Sequence, residues 1–476
     1  MEKNNQKITS RDVDFGKWYT DVIREADLVD YSTVKGSMII RPYGYAIWEN
    51  MVNALDKKFK ELGHVNVQMP MFIPESLLNI EKDHVEGFAP EVAWVTHGGS
   101  ELLEERMCVR PTSEVLFCDH YKKIIKSYRD LPLLYNQWCT IVRWEKTTKP
   151  FLRSREILWQ EGHTMHSTEK EAREETLKML EVYEDFQKNY LAIPVITGKK
   201  SDKEKFAGAE ETYTIEAMMY DGVALQNGTS HYFGQGFAKA FGIQFLNKEN
   251  KLEYPYQTSW GCTTRMIGGL IMVHSDDYGL VLPPNIAPTK LSIVPIKIDD
   301  EVLDTIKYFE DGLRANDITF ITDKSDKSPG FKFAESEVKG YPIRLEIGPR
   351  DLKENKVTLV RRDTREKITL EKSNAINKIK ELLIEIQHNL YNRAEQRRNS
   401  MLYNHVKTYE ELKDIALNKP GFALVNWCGN VECENKIKED LGLKSRCIPF
   451  GLSEPDGKCV VCGKESKTKI YFGKQY

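Results

Sequence analysis

The chain has 476 residues, too many for one hydrophobic core, so two to four domains are expected. Its 41% hydrophobic and 29% charged residues are ordinary for a globular protein, and a formal net charge of −3 excludes an overall basic signature. Any contact with nucleic acid must therefore come from local patches.

The opening residues, Met1 to Lys7, are polar and contain no apolar core of a signal peptide. No run approaches the length of a membrane-spanning helix. The nine cysteines do not form a disulfide framework, and four group near the C-terminal end with metal-ligand spacing. That usage fits a reducing compartment, so a cytoplasmic protein is expected.

In chain order, Ile47, Met51, Leu55, Phe59 and Leu62 recur at helical spacing and predict a helix over 42–62, capped at Gly63. An apolar, β-branched run then leads to Pro70. Strands are predicted around 107–109, 137–144, 212–219 and 270–274, with a helix over 169–190. Mixed strands without regular βαβ alternation point to an α+β domain on an antiparallel sheet.

Pro283, Pro284 and Pro288 mark a linker. After it come strand 291–296, helix 301–315, strand 318–322, helix 331–339, and strands 343–347 and 356–361. That alternation indicates a compact α/β domain. A long helix over 373–398 follows, and Thr408 with Glu411 forms a capping box that opens another.

The chemistry concentrates in a few segments. Arg110-Pro111-Thr112-Ser113-Glu114, Val142-Arg143-Trp144-Glu145 and Trp159-Gln160-Glu161-Gly162-His163 gather hydroxyl, carboxylates, arginine and histidine in an aromatic-rich region. Such a set suits a zwitterion: Glu114 can take an ammonium and Arg143 a carboxylate or phosphate. Exposed loops with ordinary ion pairs are the alternative.

Gln226 to Gly236 is polar and glycine-rich, which permits close backbone approach to a ligand but also reads as a hairpin turn. It is neither a P-loop nor a dinucleotide fingerprint. Arg265 sits in Gly261 to Leu270 at a strand-to-helix transition, placed to meet an anion or simply solvent.

Cys428 with Cys433, and Cys459 with Cys462, are two short-spaced pairs in turn-rich surroundings, which a tetrahedral four-cysteine zinc site needs. Free buried cysteines, or a redox pair at Cys459 and Cys462, are the other readings. Cys447 looks like a bystander.

Taken together these segments resemble the three motifs of class II aminoacyl-tRNA synthetases. The first is the long helix and the strand before Pro70; the second is Arg143-Trp144-Glu145 with its loop through Phe151-Leu152-Arg153; the third is Gly268-Gly269-Leu270 preceded by Arg265. More narrowly, Arg-Pro-Thr-Ser-Glu, Trp-Gln-Glu-Gly-His and Gly-Thr-Ser-His resemble the prolyl-tRNA synthetases, and the cysteine-bearing end resembles their archaeal/eukaryotic-type branch.

The resemblance implies an antiparallel-sheet catalytic domain over 1–288, an α/β anticodon-binding domain with a connecting helix over 289–398, and a zinc-binding α/β domain over 399–476. It implies ATP-dependent activation of L-proline and transfer to the 3′ end of tRNA(Pro), by a homodimer with no membrane partner. A sister class II enzyme for another small amino acid, or a non-catalytic RNA-binding paralogue, are the alternatives.

By the same resemblance Thr112 and Glu114 hold the secondary ammonium of proline, while Trp159, His163 and His231 line its pocket. Arg143 bridges the proline carboxylate and the α-phosphate. Glu145 reads the adenine amino group, and Arg153 also belongs to the ATP site. Gln226 and Thr229 contact ATP or its Mg²⁺; Thr263 and Arg265 hold the nucleotide, with Arg143 and Arg265 as the catalytic arginines. Cys428, Cys433, Cys459 and Cys462 bind structural Zn²⁺, and Tyr476 folds back toward the active site. Arg344, Glu346, Arg350, Lys353, Arg361 and Arg362 could contact anticodon bases or phosphates, or form a solvated face. The interval between His163 and Arg265 is too short for the large editing insertion of the bacterial-type branch.

Overall fold

A computed structural model describes residues 7–80 and 92–476. Its centre is an eight-stranded sheet built from β1 (Val65–Asn66), β2 (Leu133–Val142), β3 (Glu156–His166), β4 (Val195–Lys199), β5 (Glu211–Met218), β6 (Ala224–Gly234), β7 (Tyr256–Thr263) and β8 (Ile448–Pro449). The order across the sheet is β8-β4-β5-β6-β7-β3-β2-β1. Every neighbouring pair is antiparallel except β1 with β2.

Helices cover one face of this sheet. Pro42–Glu61 starts on a proline at its first turn, where a missing N–H costs nothing, and buries Ile47, Met51, Leu55 and Phe59. Leu62, the last residue of the predicted stripe, is exposed. Glu169–Asn189 is closed at its start by a reciprocal capping box between Thr168 and Glu171, and buries Met179, Leu180, Tyr183 and Phe186. Together with Trp18, Tyr19, Trp260 and Met266 they form the main core.

The third helix, Arg265–His274, corrects the strand expected over 270–274. Residues Met266 to Val273 are all buried, so the run is apolar on every side and carries no period that separates helix from strand. The segment from Gln226 to Gly236 is likewise no turn. It runs mostly within β6, one of the central strands, with a bulge at Asn227 where the pairing steps from Gly228 opposite Ile215 to Gln226 opposite Glu216.

Beyond the linker, a five-stranded sheet has the order Phe320–Thr322, Leu291–Pro295, Ile343–Ile347, Lys356–Arg361, Lys367–Glu371. Its first three strands are parallel and the rest antiparallel. Lys367–Glu371, absent from the sequence expectation, is a half-exposed edge strand rich in charge. The helix Ala375–Ser400 packs along this sheet.

The C-terminal region forms a four-stranded sheet in the order Leu402–Val406, Phe422–Trp427, Thr468–Gly473, Lys444–Ser445, with helices Tyr409–Asn418 and Val431–Leu441. The predicted capping box at Thr408 and Glu411 is present. This region also reaches back: β8 pairs with β4, and a side chain at Gly198 would lie 2.3 Å from the Ile448 carbonyl oxygen. The tail joins as well, since Ala224 N–H donates to Lys474 O at 2.8 Å and Tyr476 N–H to Ala224 O at 3.2 Å.

From His163 to Arg265 the chain is taken up by β4 to β7, the helix Glu169–Asn189, the short helix Gly236–Phe241 and their connections. That interval holds no inserted domain. Among the described residues no helix is long and apolar enough to cross a membrane.

Two buried histidines of the sheet are held neutral. Burial pushes His166 down to about 4, against the pull of Glu175, and pushes His231 down to about 3, helped by His163. Unfolded, each would titrate near 6.5, so its contribution is fully present above that pH and is lost as pH falls toward 4. Stability should fall on acidification below pH 6.5, with each histidine adding up to about 1.4 kcal/mol per pH unit. Urea unfolding between pH 7 and 4.5 should show this slope, and His166→Gln should make it shallower.

Candidate active site

The site follows from strand periodicity, which sends alternate residues to opposite faces. On β3, Trp159, Glu161 and His163 face one cavity, while Gln160 faces the helix behind and accepts a hydrogen bond from Tyr183 Oη at 2.5 Å. The register carries the pattern across: Thr263, Gly261 and Ser259 of β7 lie opposite Trp159, Glu161 and His163. Next, Thr229 and His231 of β6 lie opposite Gly261 and Ser259, and Thr212 of β5 opposite His231.

One cavity of about 180 Å³ is lined by Thr112, Glu114, Arg143, Trp159, His163, Gln226, Thr229, His231, Thr263 and Arg265. These are all the residues expected to contact the amino acid, and all the expected nucleotide residues except Glu145 and Arg153. Those two pair with each other, Arg153 Nη1 lying 3.4 Å from Glu145 Oε2.

Tyr476 is not among the lining residues. Its hydroxyl donates to Asp221 Oδ2 at 2.5 Å, and Lys149 lies over its ring. Backbone pairing with Ala224 fixes the tail at the end of β6, beside the base of the loop Lys149–Arg153.

At one wall Glu114 opens the helix Glu114–Ile124 and is buried, with Thr112 Oγ1 donating to its Oε2 at 2.5 Å. Glu161, which the sequence reading assigned no role, organises the layer beneath. It accepts hydrogen bonds from Ser113 Oγ (2.6 Å) and Gln137 Nε2 (2.5 Å), and its Oε2 lies 2.8 Å from His163 Nε2. Burial alone would raise its carboxyl, but His163, Ser113 and Gln137 hold it below the ordinary range. A period of two starting at Trp159 would have pointed to it.

His231 stands between two hydroxyls, Thr212 Oγ1 at 2.9 Å from Nδ1 and Thr229 Oγ1 at 3.0 Å from Nε2. Phe206 packs against its ring, and with Glu204 it lines the cavity from the segment between β4 and β5. No periodicity marks that segment.

The opposite wall is cationic. Arg143 donates through Nε to Pro111 O at 3.1 Å, and its guanidinium faces the Trp159 ring. Arg265 begins its helix with Nε toward Leu152 O at 3.3 Å. Burial, then the nearby charges of Arg143 and Arg153, push Arg265 down to about 10. It remains charged at neutral pH, and an anion would relieve that repulsion. Gly268, one turn on, lets the helix close against the loop below: a side chain there would lie 2.4 Å from Leu152 Cδ2.

Cys139 and Cys262 stand near this wall, but burial pushes both thiols far up, so neither supplies a thiolate nucleophile. In the second domain most of the charges considered for RNA are internally paired. Arg344 bonds Glu346 at 2.8 Å, Arg361 bonds Asp363 at 2.8 Å, and Arg362 forms a two-pronged pair with Asp276 of the first domain. Arg350 and Lys353 are exposed.

The sulfur atoms of Cys428, Cys433, Cys459 and Cys462 all lie within 4.8 Å of one another. Cys428 Sγ is 3.7 Å from both Cys433 Sγ and Cys462 Sγ. A tetrahedron of zinc–sulfur bonds of about 2.3 Å has edges of about 3.8 Å, so the donor set fits that ion. Cys433 belongs to the first turn of the helix Val431–Leu441, where a loop was expected. Cys447 lies apart, buried beside Tyr471.

Residues 94–274 match the tRNA synthetase class II core domain (G, H, P, S and T), residues 290–382 the anticodon binding domain, and residues 409–476 the prolyl-tRNA synthetase C-terminal domain. The chain is 59% identical to a proline–tRNA ligase of Clostridium novyi and to one of Lachnoclostridium phytofermentans, in each case over 99% of this chain and 98% of the relative. It is 57% identical to a proline–tRNA ligase 2 of Bacillus thuringiensis, over 99% of both chains. The chain belongs to the proline–tRNA ligase family of class II aminoacyl-tRNA synthetases.

Proposed function

We propose that the chain joins L-proline to ATP as prolyl-adenylate, releasing pyrophosphate, and then transfers the prolyl group to the 3′ end of tRNA(Pro). The observation that carries this reading is a single cavity lined by both a buried carboxylate, Glu114, and two clustered guanidiniums, Arg143 and Arg265.

The roles follow from donors and charges. A secondary ammonium has two N–H groups and needs two acceptors, which Thr112 Oγ1 and the Glu114 carboxylate supply. Trp159, His163 and neutral His231 shape the ring pocket, and Glu161 orients His163. Arg143 takes the proline carboxylate and the α-phosphate together, which brings two anions to reacting distance. The carboxylate oxygen attacks the α-phosphorus and pyrophosphate leaves. Thr263 and Arg265 hold the nucleotide and its departing phosphates, while Glu145 and Arg153 take the adenine side. No covalent protein nucleophile is required.

Magnesium bound with ATP would neutralise phosphate charge, and the hard oxygen donors of Gln226 and Thr229 suit it. In pyrophosphate exchange, L-proline should be the strongly preferred amino acid. Glu114→Ala and Arg143→Ala should each lower kcat/KM for proline by roughly 10²–10³-fold. Exchange supported equally by several amino acids, or by none, would sink the reading.

With no inserted domain between His163 and Arg265, a pocket for a small apolar ring discriminates weakly by size. Alanine or cysteine should be activated measurably, and purified protein should not deacylate alanyl-tRNA. Deacylation above the spontaneous rate would overturn this.

We assign Cys428, Cys433, Cys459 and Cys462 to a structural Zn²⁺, since four thiolates leave no open position. Metal analysis should find about one zinc per chain, and Cys433→Ser should lose it and lower the unfolding temperature by about 5–10 °C. Exposed Tyr45, Leu62, Val65, Met71 and Phe72, on or after the helix Pro42–Glu61, support a homodimer through this face. A thiolate metal site suits the cytoplasm, and Arg350 and Lys353 remain available for tRNA.

A further inference from the structure

One buried charge cluster has no part in the chemistry above. Lys200, Glu216 and Arg446 have side chains 3%, 0% and 2% exposed. Lys200 Nζ donates to Glu216 Oε1 at 2.6 Å, Thr214 Oγ1 donates to the same oxygen at 3.0 Å, and Arg446 Nη1 lies 3.6 Å from Oε2. Arg446 comes from the C-terminal region and is fixed by Ser445 O at 2.7 Å and Lys444 O at 3.3 Å.

The cluster lies on the face of the sheet that carries the site. Glu216 of β5 is directly opposite Gln226 of β6, and opposite residues of an antiparallel pair project to the same side. Gln226 lines the cavity, and the charge of Glu216 is felt at Arg265. Lys200 and Arg446 hold Glu216 from two distant parts of the chain. A second buried carboxylate, Glu434, accepts from the residue next to each cation, Ser201 Oγ at 3.1 Å and Ser445 Oγ at 2.5 Å. Loss of either cation would leave Glu216 buried and underpaired, which is costly.

We propose that Arg446 is a positioning residue for the nucleotide: together with Lys200 it holds Glu216, and through Glu216 it sets the Gln226 wall of the cavity. The proposal rests on the reading of this cavity as the ATP site. It gives the C-terminal region an indirect part in nucleotide binding, apart from its metal site.

The test is proline-dependent exchange of radiolabelled pyrophosphate, with KM for ATP and for proline measured separately in the full-length chain. Arg446→Met, which keeps the length of the side chain but removes its charge, should raise KM for ATP by about tenfold and leave KM for proline within about twofold. Arg446→Lys should recover most of the loss, to about a threefold rise in KM for ATP. Thermal melting and zinc content establish that each variant is folded. Equal effects on both substrates, or an unchanged KM for ATP in folded Arg446→Met, would overturn the proposal. If the methionine variant does not fold, the lysine variant decides, and an unchanged KM for ATP overturns it. Wild-type protein that exchanges no pyrophosphate with proline would instead defeat the reading of the cavity, and this proposal with it.

Discussion

Everything at the site depends on the pairing register of four antiparallel strands. Because side chains alternate with a period of two, shifting β3 by one residue would turn Trp159, Glu161 and His163 toward the helices and bring Gln160 and Gly162 to the ligand side. The register is held from behind, where Gln160 bonds Tyr183 and the Trp260 ring occupies the space a side chain at Gly162 would need. The core that stabilises the sheet is thus also the device that aligns the reacting groups.

The two walls solve different problems. At the amino-acid end, a carboxylate is kept ionised by hydrogen bonds in spite of burial, as the Glu161 layer under His163 shows. At the nucleotide end, burial and then the crowding of like charges depress Arg265. In the first arrangement the Glu161 carboxylate already has its partners; in the second the repulsion is relieved when phosphate enters. Binding ATP therefore relieves a tension built into the fold, whereas binding proline replaces one set of hydrogen bonds with another.

Much of this was legible in the sequence. The chemical residues were readable because their types match the charges of a zwitterion and a nucleotide, and the long helices because their apolar periods and caps are local signals. What escaped depends on distant partners. Leu270 to His274 read as a strand because a fully buried helix is apolar all round. The glycines and polar residues of Gln226 to Gly236 read either as a backbone open to a ligand or as a hairpin turn, and neither reading marks the segment as largely a central strand. Arg362 read as a charge for RNA or for a solvated face because nothing local shows that Asp276 lies against it. Glu161 stands within a recognisable motif, but its partners Ser113 and Gln137 come from other segments, so its role is hidden in the sequence.

The pairing of β8 with β4 bears on how the protein is made. Ribosomes deliver β4 long before Ile448 and Pro449, so during translation the central sheet carries an open strand edge with unsatisfied amides and carbonyls. The whole α/β domain and the helix Ala375–Ser400 must emerge before that edge is covered. Nascent chains are exposed to edge-to-edge association throughout this interval, and a chain cut short before residue 448 keeps the sticky margin permanently.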